Sequence, residues 1–71
     1  MNFVSVNSST LSEVAYDEGS STLGVRFKNG GEYEYSGVPE KVYRNLLAAP
    51  SPGKYFDANV KKAGYHFHQV R

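Results

Sequence analysis

The residue types best suited to chemistry cluster in Ser51-Pro52-Gly53-Lys54. Serine is placed to cap a helix and proline to open it. The free N–H groups and dipole of a helix start favour phosphate or carboxylate. Gly53 permits close approach, Ser51 offers a hydroxyl and Lys54 adds a charge. Tyr55 follows, with Lys61 and Lys62 further along the same helix and Lys41 and Arg44 on the one before it. An exposed ring at Tyr55 or Tyr43 would stack on a base for about 1–3 kcal/mol. The plain alternative is a capped helix with solvated lysines and rings that complete the core. Ser8 and Ser9 are open to two readings, ligand contact or hydrogen bonds to nearby backbone in a turn.

Catalysis lacks its parts. An enzyme needs a base, acid or nucleophile held in mutual reach. His66 and His68 are the only histidines, and alternation puts both on one strand face, but no third ligand is evident and there is no cysteine. Asp17 falls in a turn and Asp57 on a helix surface. No nucleophile elbow or glycine-rich phosphate loop occurs. A non-catalytic protein without metal or cofactor is expected.

Charge is divided along the chain. Residues 1–40 sum to −4 and residues 41–71 to +5, inside a net charge of +1. This points to an anionic partner for the basic half, to head-to-tail contact between copies as a homo-oligomer, or to ordinary solvated helices. The absence of cysteine favours a reducing, cytoplasmic setting. No apolar run reaches membrane-span length, and the start lacks the build of a signal peptide. At 71 residues the chain reads as one small domain, 1–71, short of core unless its ten Phe and Tyr residues pack closely.

The elements that must position these residues begin with a hairpin, LGVRFKNGGEYEYSGV, residues 23–38. Leu23, Val25 and Phe27 alternate with polar or small residues, as do Tyr33 and Tyr35 after the turn. A three-residue loop, Asn29-Gly30-Gly31, sets Phe27 against Tyr33, Val25 against Tyr35, Lys28 against Glu32 and Arg26 against Glu34. Residues 12–16 add a third strand, pairing Tyr16 with Leu23 and Val14 with Val25. The outer face then carries a charged row, Glu13–Arg26–Glu34, and a flat row, Ala15–Gly24–Ser36. Val42, Tyr43, Leu46 and Leu47 form the apolar stripe of one helix after Pro39, and Pro50 stops it. Phe56, Val60 and Ala63 line a second, in which Asp57 can pair with Lys61 and which Gly64 ends. The fold class is therefore α+β, an antiparallel three-stranded meander packed by two short helices, with tyrosines facing the helices. Residues 3–6 and the alternating tail, 65–70, form an extra N-/C-terminal strand pair.

So placed, Ser8-Ser9, Val14-Ala15-Tyr16-Asp17, Leu23-Gly24-Val25-Arg26-Phe27, Gly31, Tyr33-Glu34-Tyr35, Val38-Pro39, Val42-Tyr43, Leu46, Ser51-Pro52-Gly53-Lys54-Tyr55-Phe56 and the 60–65 stretch resemble the KTSC domain. That module is named for the C-terminus of certain lysyl-tRNA synthetases, and it also occurs free-standing in bacteria and phages, as this chain is read. The resemblance implies RNA binding, suggested for a family without a settled activity. The leading expectation is a binding module whose basic helical half meets RNA or another phosphate-bearing ligand. Two alternatives remain: a protein partner docked on an edge strand or on the flat row, or a small-nucleotide binder acting as an oligomer.

Overall fold

Alternating apolar residues produce strands here, and their inner faces set where everything else lies. The computed structural model describes residues 1–71. It contains β1 (Val4–Ser5), β2 (Leu11–Asp17), β3 (Thr22–Phe27), β4 (Glu32–Ser36), α1 (Glu40–Ala48), α2 (Pro52–Phe56) and β5 (His66–Gln69). All five strands join one antiparallel sheet in the order β1-β2-β3-β4-β5. The α+β class and the central meander are as expected. The pairing of the two chain ends is not: β1 adds to β2 and β5 to β4, on opposite edges. Alternation identifies a strand without naming its neighbour.

The β2–β3 register matches the expectation, Tyr16 facing Leu23 and Val14 facing Val25. A bulge between Leu11 and Glu13 lets Leu11 and Val14, three residues apart, both reach the core. The β3–β4 register is slipped by two residues: Val25 faces Tyr33 and Leu23 faces Tyr35. The loop is three residues long but one position earlier, Lys28-Asn29-Gly30, closed by the Phe27 amide donating to Gly31 O at 2.8 Å. Gly30 adopts φ +98°, which an L side chain resists, and Asn29 Oδ1 accepts the Gly31 N–H at 2.9 Å. A slip of two keeps every side chain on its own face, so burial alone does not choose between the registers.

Polar contacts choose. In the observed register Arg26 faces Glu32, not Glu34. Glu32 is only 8 % exposed and accepts from Arg26 at 2.9 Å and Arg71 at 2.8 Å, while Arg26 also bonds Glu13 at 3.0 Å. Hydrogen bonds from Arg71, then Arg26, hold the Glu32 carboxyl below its ordinary 4.5, and bonds to Glu32 and Glu13 raise Arg26. A depressed carboxylate stabilises the fold above its unfolded pKa, and that contribution is lost as pH falls through the folded value. The urea midpoint is therefore expected to drop as pH is lowered below 4.5, with a flatter profile in Glu32→Gln; equal profiles would exclude this role.

The outer face is not open. The Arg26 guanidinium lies 3.7 Å from the centre of the Phe3 ring. A Cβ at Gly24 would sit 2.9 Å from Met1 Sδ and 3.1 Å from the same ring. Ala15 and Gly24 are accordingly buried, the N-terminal segment covering Gly24, while Ser36 faces Thr22 in place of Gly24 and stays exposed, so the flat row expected above as a protein-docking surface does not form.

On the inner face Leu11, Val14, Leu23, Val25, Tyr35, Val38, Leu46, Phe56 and Val60 form one buried cluster. Tyr16 stacks on Tyr43 at 5.4 Å and donates its hydroxyl to Val38 O, fixing the start of α1. Tyr43 is thus spent inside the fold, and burial raises its hydroxyl pKa. Pro39 occupies the N-cap of α1. No helix is long and apolar enough to cross a membrane.

A π turn, Asp57–Lys61, continues α2 directly. The Lys62 amide donates to Asp57 O at 3.1 Å, a five-residue closure. The added residue changes the phase of everything beyond it. Ala63, expected on the buried side, is exposed, and Asp57 pairs with Lys62 at 3.4 Å in place of Lys61.

Candidate functional site

Two short elements and one sheet edge enclose an open groove of about 1010 Å³. Its floor is aromatic: Phe27, Tyr33, Tyr35, Phe56 and Phe67. These rings brace one another. Phe27 meets Tyr33 edge-on at 5.5 Å and Phe56 at 5.6 Å; Tyr35 meets Phe56 edge-on at 5.5 Å and stacks on Phe67 at 5.3 Å. Such arrangements follow the ring quadrupole and hold each ring in place. Burial raises the Tyr35 hydroxyl pKa, with a smaller push from Tyr33.

Three lysines line the groove: Lys28 from the β3–β4 turn, Lys54 from α2 and Lys61 from the π turn. None has a carboxylate within 4.0 Å, whereas Arg26, Lys62 and Arg71 all do. Asp57 is the one acid on the lining, and Lys62 partners it. The π turn therefore decides which lysine is free: it directs Lys62 to Asp57 and leaves Lys61 to the groove.

The remaining wall is polar, with Asn7, Ser8, Ser9 and Thr10 on one side and Ser51 and Gly53 facing them. Ser8 Oγ accepts the amides of Thr10 and Leu11, each at 3.1 Å, which is the turn-forming role. Gly53 has a steric duty as well: a Cβ there would lie 2.9 Å from Thr10 Oγ1 and 3.0 Å from Ser8 Oγ. Its bare backbone seats α2 on the 7–10 corner. Ser51 stands at the helix N-cap but its side chain makes no cap bond; its carbonyl instead accepts the Tyr55 amide at 3.0 Å. The expected side-chain cap is absent, and the hydroxyl stays on the lining.

Of the residues singled out in the sequence, the groove gathers Ser8, Ser9, Ser51, Gly53, Lys54 and Lys61. Lys41 and Arg44 stand apart on α1, Tyr55 packs half-buried against the core, and Lys62 is in its ion pair. Sequence reasoning passed over Lys28, which the slipped register separates from Glu32, and Phe67, whose strand it placed elsewhere. The alternation of the tail already set Phe67 opposite in face to the two histidines; only its neighbour strand was missing.

The profile of the KTSC domain matches residues 7–67, which include every lining residue of the groove. The chain belongs to the KTSC domain family. A crystal structure of a KTSC domain protein from Yersinia pestis superposes with a TM-score of 0.90 at 31 % identity, covering 99 % of this chain and 97 % of that one. An uncharacterized protein of Stutzerimonas stutzeri is 34 % identical over 70 residues, 99 % of each chain. A lysine–tRNA ligase of Nostoc punctiforme is 36 % identical over 53 residues, which are 75 % of this KTSC chain and 9 % of the ligase.

Proposed function

We propose that this KTSC domain is a non-catalytic binding module that takes RNA, or another phosphate-bearing ligand, in the groove between α2 and the β4–β5 edge. One observation carries the reading: Lys28, Lys54 and Lys61, without carboxylate partners, converge on an aromatic floor. Lysines supply phosphate contacts and rings supply stacking, and single-stranded nucleic acid is bound by that combination. The basic set is thus narrower than the charge of the C-terminal half implies, because Lys41 and Arg44 lie off the groove.

Titrating labelled single- and double-stranded RNA at two ionic strengths tests this. Binding should weaken steeply with added salt, the logarithm of affinity falling by about 0.7 per phosphate contact for each tenfold rise in salt on a single strand. Absence of binding to either RNA at low salt would remove the nucleic-acid claim.

A further inference from the structure

We infer that the groove is built for unpaired bases, with Phe67 as the platform on which a base stacks; the inference rests on the phosphate-ligand reading above. Of the ten Phe and Tyr residues, nine are buried or half-buried, and Phe67 alone is exposed, at 55 %. It is not a loose ring at a loop tip. It sits in β5 directly opposite Tyr35, stacks on that ring at 5.3 Å with a 30° tilt, and meets Tyr33 at 6.1 Å. The ring is held by its neighbours while the residue stays exposed.

The same groove carries the lysines. Phe67, Lys28, Lys54 and Lys61 line the same groove, so an apolar plane and unneutralised positive charge are offered to one ligand. A purely apolar partner would leave the ammonium groups uncompensated, and a simple anion would leave the ring bare. A phosphate-linked base satisfies both. In a duplex the base faces are already covered by their neighbours, and double-stranded RNA is met mostly through its shape, phosphates and hydroxyls. Away from duplex ends, only an unpaired base can present its face to Phe67.

The chain has no tryptophan, so Phe67→Trp places a single indole reporter on the groove. Its fluorescence should be quenched by a single-stranded RNA oligomer and not by the duplex of the same sequence. Affinity of the natural chain for the oligomer should exceed that for an abasic strand of equal length by about tenfold, the scale of one base–ring stack. Phe67→Leu keeps apolar packing on Tyr35 but removes the ring; it should lose that tenfold while binding the abasic strand unchanged. Equal affinity for abasic and base-bearing strands, equal quenching by duplex, or a mononucleotide matching the oligomer would overturn the inference. So would a dimer that Phe67→Leu dissociates with RNA affinity intact, since Phe67 would then be a contact between copies. If abasic strand and RNA both fail to bind at low salt, the underlying phosphate reading itself falls.

Discussion

Phe56→Ala is expected to destabilise the fold by about 3–5 kcal/mol, the range for truncating a buried aromatic ring. Phe56 is 3 % exposed and touches Phe27 and Tyr35 edge-on at 5.6 and 5.5 Å. It is the side chain by which α2 grips two strands at once. Alanine would forfeit those contacts and leave a cavity that neighbouring rings, each already braced, could fill only in part. Domains hold about 0.05–0.15 kcal/mol per residue, so 71 residues amount to about 4–11 kcal/mol in all. The substitution thus removes a large share of the total. Urea denaturation at unchanged slope measures it, with Phe56→Leu expected to cost less because apolar volume is retained. A loss below about 1 kcal/mol would show that α2 is not anchored through this ring.

Charge reversal at the groove should leave stability alone and abolish most binding. Lys54 and Lys61 are exposed and unpaired, so Lys54→Glu with Lys61→Glu should move stability by less than about 1 kcal/mol for the two substitutions together. Each lysine withdrawn from a single-strand phosphate lowers the salt slope by about 0.7, so the double variant should lose about 1.4. Affinity at low salt should fall more than about tenfold, because two attractions become repulsions. Lys41→Glu with Arg44→Glu makes an equal change of charge away from the groove and should act far less. Equal losses from the two pairs would mean that net charge, not this groove, governs binding.

The two outcomes together separate what the sequence encodes locally from what it leaves to tertiary structure. Strand faces were legible because a period of two marks the buried side of Val25, Tyr33 and Tyr35 without knowledge of partners. The register of β4 was not, since a slip of two preserves that side; the Arg26–Glu32–Arg71 network and the Asn29 bond to Gly31 select it. β5 showed its alternation but not its neighbour, and with the neighbour went Phe67. The apolar spacing of Phe56, Val60 and Ala63 is that of an ordinary helix, so nothing local announced the π turn that exchanges Lys61 for Lys62. Ser51, Gly53 and Lys54 were visible as a helix start. That Gly53 exists to admit Ser8 and Thr10, 45 and 43 residues earlier in the chain, is a fact of packing.

Backbone amide shifts followed during titration with a short single-stranded RNA test the central claim most directly. The groove account predicts changes centred on Lys28, Gly53, Lys54, Lys61 and Phe67, with Lys41 and Arg44 silent. Changes confined to α1, or to the outer sheet face around Phe3 and Gly24, would contradict it.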